Sequence, residues 1–192
     1  MPMKRSSVWL LGALAWVVAL PAVAGQFGDA KSVSLSNGFN QVKLGGHEAT
    51  VIVAERENYN AHGFSVATIY MKGPSDRQDR TVLNIVLAFP RDSGEPEILQ
   101  LSTSGGADCV LHDYRLLTSE RSKEAWLVIA RRDYGQSYVD HAPVHFDVYR
   151  LQENKDGLFG RPPVYFEFDH RVEASKPYCD VDDAMSKELG IR

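Results

Sequence analysis

The chain has 192 residues, of which 44% are hydrophobic and 24% charged, with a formal net charge of −4. That length suits one domain after any targeting segment is removed. The mild acidity, with no basic block, excludes nucleic acid and anionic lipid as the natural partners.

The first two dozen residues read as a targeting segment and stand apart from the fold. Lys4 and Arg5 form a short basic region, "VWLLGALAWVVAL" (Val8 to Leu20) is apolar throughout, and Pro21 with Ala22, Val23 and Ala24 completes a cleavage site. The apolar run falls short of the ~20 residues a helix needs to cross ~30 Å of hydrocarbon. No cysteine follows the cleavage site. We therefore expect residues 1–24 to be a cleaved signal peptide, delivering 25–192 to the periplasm as a single domain with no membrane insertion. Cleavage removes two cations and no acid, which moves the net charge from −4 to −6.

Downstream, period-two alternation and β-branched or aromatic runs dominate. "KSVSLSNG" and "NQVKLG" read as two strands joined at Asn37-Gly38, a dipeptide suited to positive φ. "ATVIVAER" and "FSVATIYMK" flank the polar stretch "ERENYNAHG". Then "RTVLNIVLAF", "EILQLSTS", "CVLHDYRLL", "AWLVIARRD", "VHFDVYRLQ" and "VYFEFDHRV" continue the series. The linkers between them carry the Gly, Pro and Asp of turns. Only "DVDDAMSKELGI" looks helical, with an aspartate cap at Asp180 or Asp182, an Asp183–Lys187 pair and Gly190 as a stop. The expected fold is all-β, an antiparallel two-sheet sandwich with a short C-terminal helix; a parallel α/β sheet would require crossover helices.

A weak internal repeat suggests two related β-meanders. "VIVAERENYNAHGFSVATIY" can be laid beside "LVIARRDYGQSYVDHAPVHFDVY", matching Ala54/Arg56 to Ala130/Arg132, Glu57 to Asp133, His62 to His141 and Tyr70 to Tyr149. Cys109 and Cys179 form an even count suited to an oxidising compartment, so one disulfide is expected. It would staple the two meanders together.

The search for catalytic chemistry returns absences. The chain has no G-x-S-x-G elbow, no HExxH and no nucleotide-binding glycine motif. "GGADC" reads as a tight turn. In "HAPVH" the proline bars a helix, and on a strand His141 and His145 would stand ~13 Å apart, so no metal site and no cofactor is expected. His112 and Asp113 are adjacent on a strand and must face opposite ways. What turn formation leaves over in the polar stretch is charge. The candidate contact surface is Arg56, Glu57, Asn58, Asn60 and His62, with Arg132 and Asp133 as the related edge and Tyr59 or Tyr134 adding apolar area. An arginine fork beside amide donors suits a carboxylate or amide ligand.

"VIVAERENYNAHGFSVATIYM" and "SGGADCVLHDYRLL", with "SLSNGFNQVKL" before them, resemble the CarG-like family, exported proteins associated with the intrinsic resistance of carbapenem-producing bacteria to their own antibiotic. The resemblance implies an exported all-β protein that protects by sequestering the β-lactam or shielding its target, without hydrolysis. No Ser-x-x-Lys, Ser-Asp-Asn or Lys-Thr-Gly occurs, so serine β-lactamase machinery is missing. The expected partner is a β-lactam; the alternative is a periplasmic cell-wall enzyme blocked by an immunity or inhibitor protein.

Overall fold

A computed structural model describes residues 26–59, 63–73, 82–92, 94–106 and 108–191. The expected signal peptide, residues 1–24, lies outside the described residues. The strands in chain order are β1 (Lys31–Ser32), β2 (Gly38–Leu44), β3 (His47–Arg56), β4 (Phe64–Lys72), β5 (Leu83–Ile85), β6 (Ala88–Phe89), β7 (Leu101–Ser102), β8 (Ser104–Gly105), β9 (Val110–Thr118), β10 (Ala125–Arg132), β11 (Val144–Glu153) and β12 (Val164–Glu173). They form a seven-stranded sheet, β1-β9-β10-β11-β12-β6 with β8 on β9, and a five-stranded sheet, β2-β3-β4-β5 with β7 on β4. All pairs are antiparallel except β12–β6. The chain is the all-β sandwich that its alternation predicts.

Period-two patterning fills the space between the sheets. Ala49, Val51 and Val53 of β3 and Ala67, Ile69 and Met71 of β4 meet Leu127, Ile129, Tyr149 and Phe166 of the larger sheet. Each of the larger aliphatic and aromatic side chains among these contributes on the order of 1.5–3 kcal/mol on burial. β10 is also apolar on its second face, where Trp126, Val128 and Ala130 pack beneath Phe27 and the C-terminal residues Tyr178, Val181, Met185 and Leu189. Helix α1 (Val181–Ala184) continues as a π-helical segment over Met185–Leu189 and stops at Gly190, whose φ of 69° lies in the left-handed region. This third layer explains why "AWLVIA" is an unbroken apolar run where the other inner strands alternate.

Several local expectations change. Asn37-Gly38 does not close a hairpin: β1 pairs with β9 and β2 with β3, so the chain crosses between sheets there. "RTVLNIVLAF" divides into β5 of one sheet and β6 of the other, and "EILQLSTS" likewise into β7 and β8. In the last strand Val164, Phe166 and Phe168 share the inner core as the alternation requires. An irregularity opposite Val148/Tyr149 then shifts the register, so that Phe168 lies opposite Tyr149 and His170 opposite Val148.

The disulfide joins Cys109 to Cys179, with Cα atoms 5.7 Å apart. It does not staple the meanders. It ties the start of β9 to the tail covering the outer face of that same sheet. Asp180 reinforces the tie: one carboxylate oxygen caps the helix by accepting from the backbone N–H groups of Asp182 and Asp183 at 2.8 and 3.2 Å. The other accepts from the N–H of Val110 at 3.0 Å. Arg115 bridges Asp113 and Asp182, the second contact at 2.9 Å. Burial, followed by the neighbouring Asp113 carboxylate, pushes the Asp182 carboxyl up to about 7.

Two outcomes follow from this clasp. Replacing both cysteines with serine closes no ~70-residue loop in the unfolded chain and should cost roughly 4 kcal/mol in denaturant unfolding. Asp182 binds its proton more tightly folded than unfolded, so its contribution to stability is greatest below 3.8 and is lost as pH rises to about 7. The melting temperature of D182N relative to the parent chain should therefore climb steadily across that window in a pH series.

Candidate functional site

The ends of five strands converge at one end of the sandwich: the last residues of β3 and β10 and the first of β4, β9 and β11. The register shows the correspondence, with Arg56 opposite Phe64 and Arg132 opposite Val144. Ala54 and Ala130 stand two residues earlier in their strands, opposite Val66 and Phe146, so the Ala-x-Arg motifs occupy matching positions of two hairpins. Further along the match slips by one residue, because Tyr70 lies opposite Thr50 and Tyr149 opposite Leu127.

The segment 101–105 sews the sheets together at this end. β7 pairs with β4 and β8 with β9, and between them Thr103 donates its N–H to the Ser65 carbonyl at 3.0 Å. The Ser65 N–H returns the bond to the Thr103 hydroxyl at 3.1 Å. A Cβ on Gly105 would lie 2.6 Å from the Cys109 carbonyl oxygen. The "GGADC" glycines therefore serve the close backbone approach expected of a tight turn.

An open groove of about 260 Å³ lies here, lined by Gly63, Phe64, Ser104, Gly105, Leu111, Tyr134 and Tyr138. Phe64 opens β4, Ser104 and Gly105 form β8 and Leu111 lies on β9, while Tyr134 and Tyr138 come from the loop after β10. Tyr134 is 90% exposed and Tyr59, held at a φ of 53°, is 98% exposed. Exposed tyrosines offer a large contact area at low conformational-entropy cost.

The seven sequence candidates divide. Arg56 is exposed, with its guanidinium 5.2 Å from the centre of the Phe64 ring. That places a cation beside the groove wall. Glu57 is exposed and Asn58 half-buried in the same loop. Asn60 and His62 lie outside the described residues. Asp133 is exposed, 3.9 Å from the imidazole of His145. Arg132 corrects the sequence reading. It is buried, and its guanidinium donates to the carbonyls of Tyr138 at 2.8 Å, Asp140 at 2.6 Å and Cys179 at 3.1 Å. It is a post around which the second loop is wrapped, with no face left toward a ligand. The third layer causes the difference: the tail covers the outer face of the larger sheet at Arg132, while Arg56 projects from the smaller sheet into solvent.

Phe64, Ser104, Leu111 and Tyr138 escaped the sequence reading. An aromatic residue opening the strand opposite Arg56 was the available signal for Phe64. Ser104 and Leu111 come to the groove only through the path of the chain around 101–105, and Tyr138 sits in the loop whose carbonyls Arg132 holds. His112 and Asp113 face opposite ways, as alternation demands: Asp113 pairs with Arg115. The His112 Nε2 is buried without a hydrogen-bond partner. Burial, then the nearby Arg131, pulls its imidazole down to about 4, so it is neutral near pH 7. Among the described residues no group of three or more His, Cys, Asp or Glu is placed to hold a metal ion.

The family described as "Carbapenem resistance protein CarG-like" matches residues 35–187. The fold is similar to that of a solved structure titled "Crystal structure of CarG", with a TM-score of 0.60 and 21% identity, covering 83% of this chain and 98% of that one. No curated protein matches the chain.

Removing the Arg132 side chain strips the carbonyls of Ser137, Tyr138, Asp140 and Cys179 of its guanidinium. R132A should lower the unfolding free energy by about 3 kcal/mol in chemical denaturation. Y134A, which removes a side chain from solvent, should stay within about 0.5 kcal/mol of the parent.

Proposed function

The chain belongs to the CarG-like family of carbapenem resistance proteins, and on that premise we propose that it is a non-enzymatic periplasmic binding protein that protects the cell by holding β-lactams in the loop-end groove. The observation that carries this reading is the groove itself, walled by Phe64, Tyr134 and Tyr138 with the Arg56 guanidinium at its edge. A carbapenem combines a compact apolar bicycle, a ring amide and one carboxylate. Aromatic walls suit the bicycle. Arg56 suits the carboxylate as a charge-assisted donor, and the Ser104 hydroxyl suits an amide. At about 260 Å³ the groove lies just below the ~300 Å³ where small-molecule pockets usually begin, so part of the drug stays in solvent. The Cys109–Cys179 bridge fits an oxidising compartment, reached in this reading by cleavage after Ala24. No helix among the described residues is long and apolar enough to cross a membrane.

Exposed carboxylates at Glu57 and Asp133, close in the chain to Tyr59 and Tyr134, also suit a basic protein surface. Blockade of an exported cell-wall enzyme is therefore the second reading, and target shielding would use the same face.

The test is thermal unfolding of the purified mature chain with imipenem, alongside chromatography of the drug. At a concentration about 100 times Kd, binding adds about 2.7 kcal/mol of stability and raises Tm. R56Q and Y134A should each lose most of that rise, and the drug should be recovered intact. An unchanged Tm at millimolar imipenem would remove drug binding and leave the second reading. Steady loss of drug at a rate proportional to protein would show catalysis instead.

A further inference from the structure

A cleft of about 460 Å³ opens on the flank of the sandwich, where the chain crosses from β1 to β2. It shares no lining residue with the loop-end groove, and its volume lies within the range of small-molecule sites. The crossing that walls it is tied at both ends. The Val33 N–H donates to the Leu116 carbonyl at 2.8 Å, holding one end against β9. At the other end the Asn40 side chain accepts from the Ser36 N–H at 2.9 Å and donates to the Ser36 carbonyl at 2.8 Å. Between these ties Val33 and Leu35 pack against the core, and with Val53 and Leu116 they give the cleft an apolar lining.

Two polar side chains of this cleft have no structural task. Val51, Val53 and Glu55 share one face of β3 by alternation. β2 begins opposite Val53, so Glu55 stands past the end of that strand, exposed and, among the described residues, in no ion pair. Tyr114 is only 7% exposed, yet its hydroxyl has no hydrogen-bond partner among the described residues. Burial, then the Asp113 carboxylate, pushes the phenol up to about 12, so it stays protonated near neutral pH. A polar group held this far from water gains from a ligand atom that pairs with it. Arg115 also lines the cleft but is committed elsewhere. Its guanidinium donates to Asp113, to Asp182 at 2.9 Å and to the Tyr114 carbonyl at 2.8 Å.

We propose that this cleft is a second binding site, which takes a small primary amine with its ammonium between Glu55 and the Tyr114 hydroxyl and its carbon chain along Val33, Val53 and Leu116. An ammonium brings three donors and no acceptor. The oxygens of the Glu55 carboxylate, the Tyr114 phenol and Ser34 are the acceptors that match it. A carboxylate or phosphate would instead meet Glu55 as a like charge, with the one lining cation already held by two aspartates. The cleft thus selects the opposite charge from the Arg56 edge of the groove. An aliphatic amine and an amino sugar both carry this chemistry.

The experiment is an NMR titration of the isotope-labelled mature chain with cadaverine and with glucosamine, and with pentanediol and glucose as their uncharged counterparts. Saturable shifts of the Leu35, Glu55 and Tyr114 amides are expected with at least one amine and with neither uncharged probe. Which amine saturates tells an aliphatic carrier from a sugar. E55Q should weaken that binding about tenfold, and Y114F severalfold. Both should keep the parent Tm within a few degrees, since neither side chain has a partner to lose. E48Q removes the same charge from the exposed other end of β3 and should bind as the parent does. Equal shifts with pentanediol or glucose would overturn the proposal in favour of a neutral polyol. Equal weakening by E48Q and E55Q would overturn it in favour of diffuse attraction to an acidic protein. Shifts that stay linear to tens of millimolar with every probe, or E55Q binding as tightly as the parent, would end it.

Discussion

Strand β10 carries apolar side chains on both faces, and the molecule is arranged around covering each of them. Leu127 and Ile129 are covered by the smaller sheet, and Trp126, Val128 and Ala130 by Phe27 and the C-terminal segment. A sheet buried on one face could have tolerated a free tail. This one cannot, because uncovering the outer face would expose a continuous apolar strip at the centre of the larger sheet. The disulfide, the Asp180 contact to Val110 and the Arg115 bridge are all devices that hold this third layer in place.

That layer also decides which of the two matching hairpins keeps its arginine open to solvent. Arg56 and Arg132 occupy matching ends of β3 and β10, and the sequence motif around them is the same. One is a surface cation beside an aromatic wall. The other is enclosed by backbone carbonyls and shapes the loop that carries Tyr134 and Tyr138. Sequence similarity between the two hairpins extends to their geometry but not to their roles, since role depends on what packs over each one.

The fold was largely legible in the sequence because its information is local. Alternation in "VIVAER" and "VYFEF", the unbroken run in "AWLVIA" and the cap at Asp180 each reflect one strand or one turn. Pairing was less legible. Nothing in "KSVSLSNG" distinguishes a hairpin from a crossing between sheets, because the same residues satisfy positive φ and extended backbone in either. The even cysteine count correctly indicated a bridge, but which layers it joins depends on the third layer. The candidate site was half legible: charged and aromatic residues in the two loops were visible, while Ser104 and Leu111 reach the groove only through the path of the chain between β7 and β9. An arginine in a polar stretch reads as surface unless its burial is known, and so Arg132 was misassigned.

The Arg132 guanidinium holds carbonyls of Tyr138 and Asp140 in the groove loop and of Cys179 beside the bridge. Loop and tail are thus moored to a single bollard. The seating of the tail and the path of the tyrosine loop are therefore set by one enclosed cation, and neither backbone can shift without disturbing hydrogen bonds that the other shares.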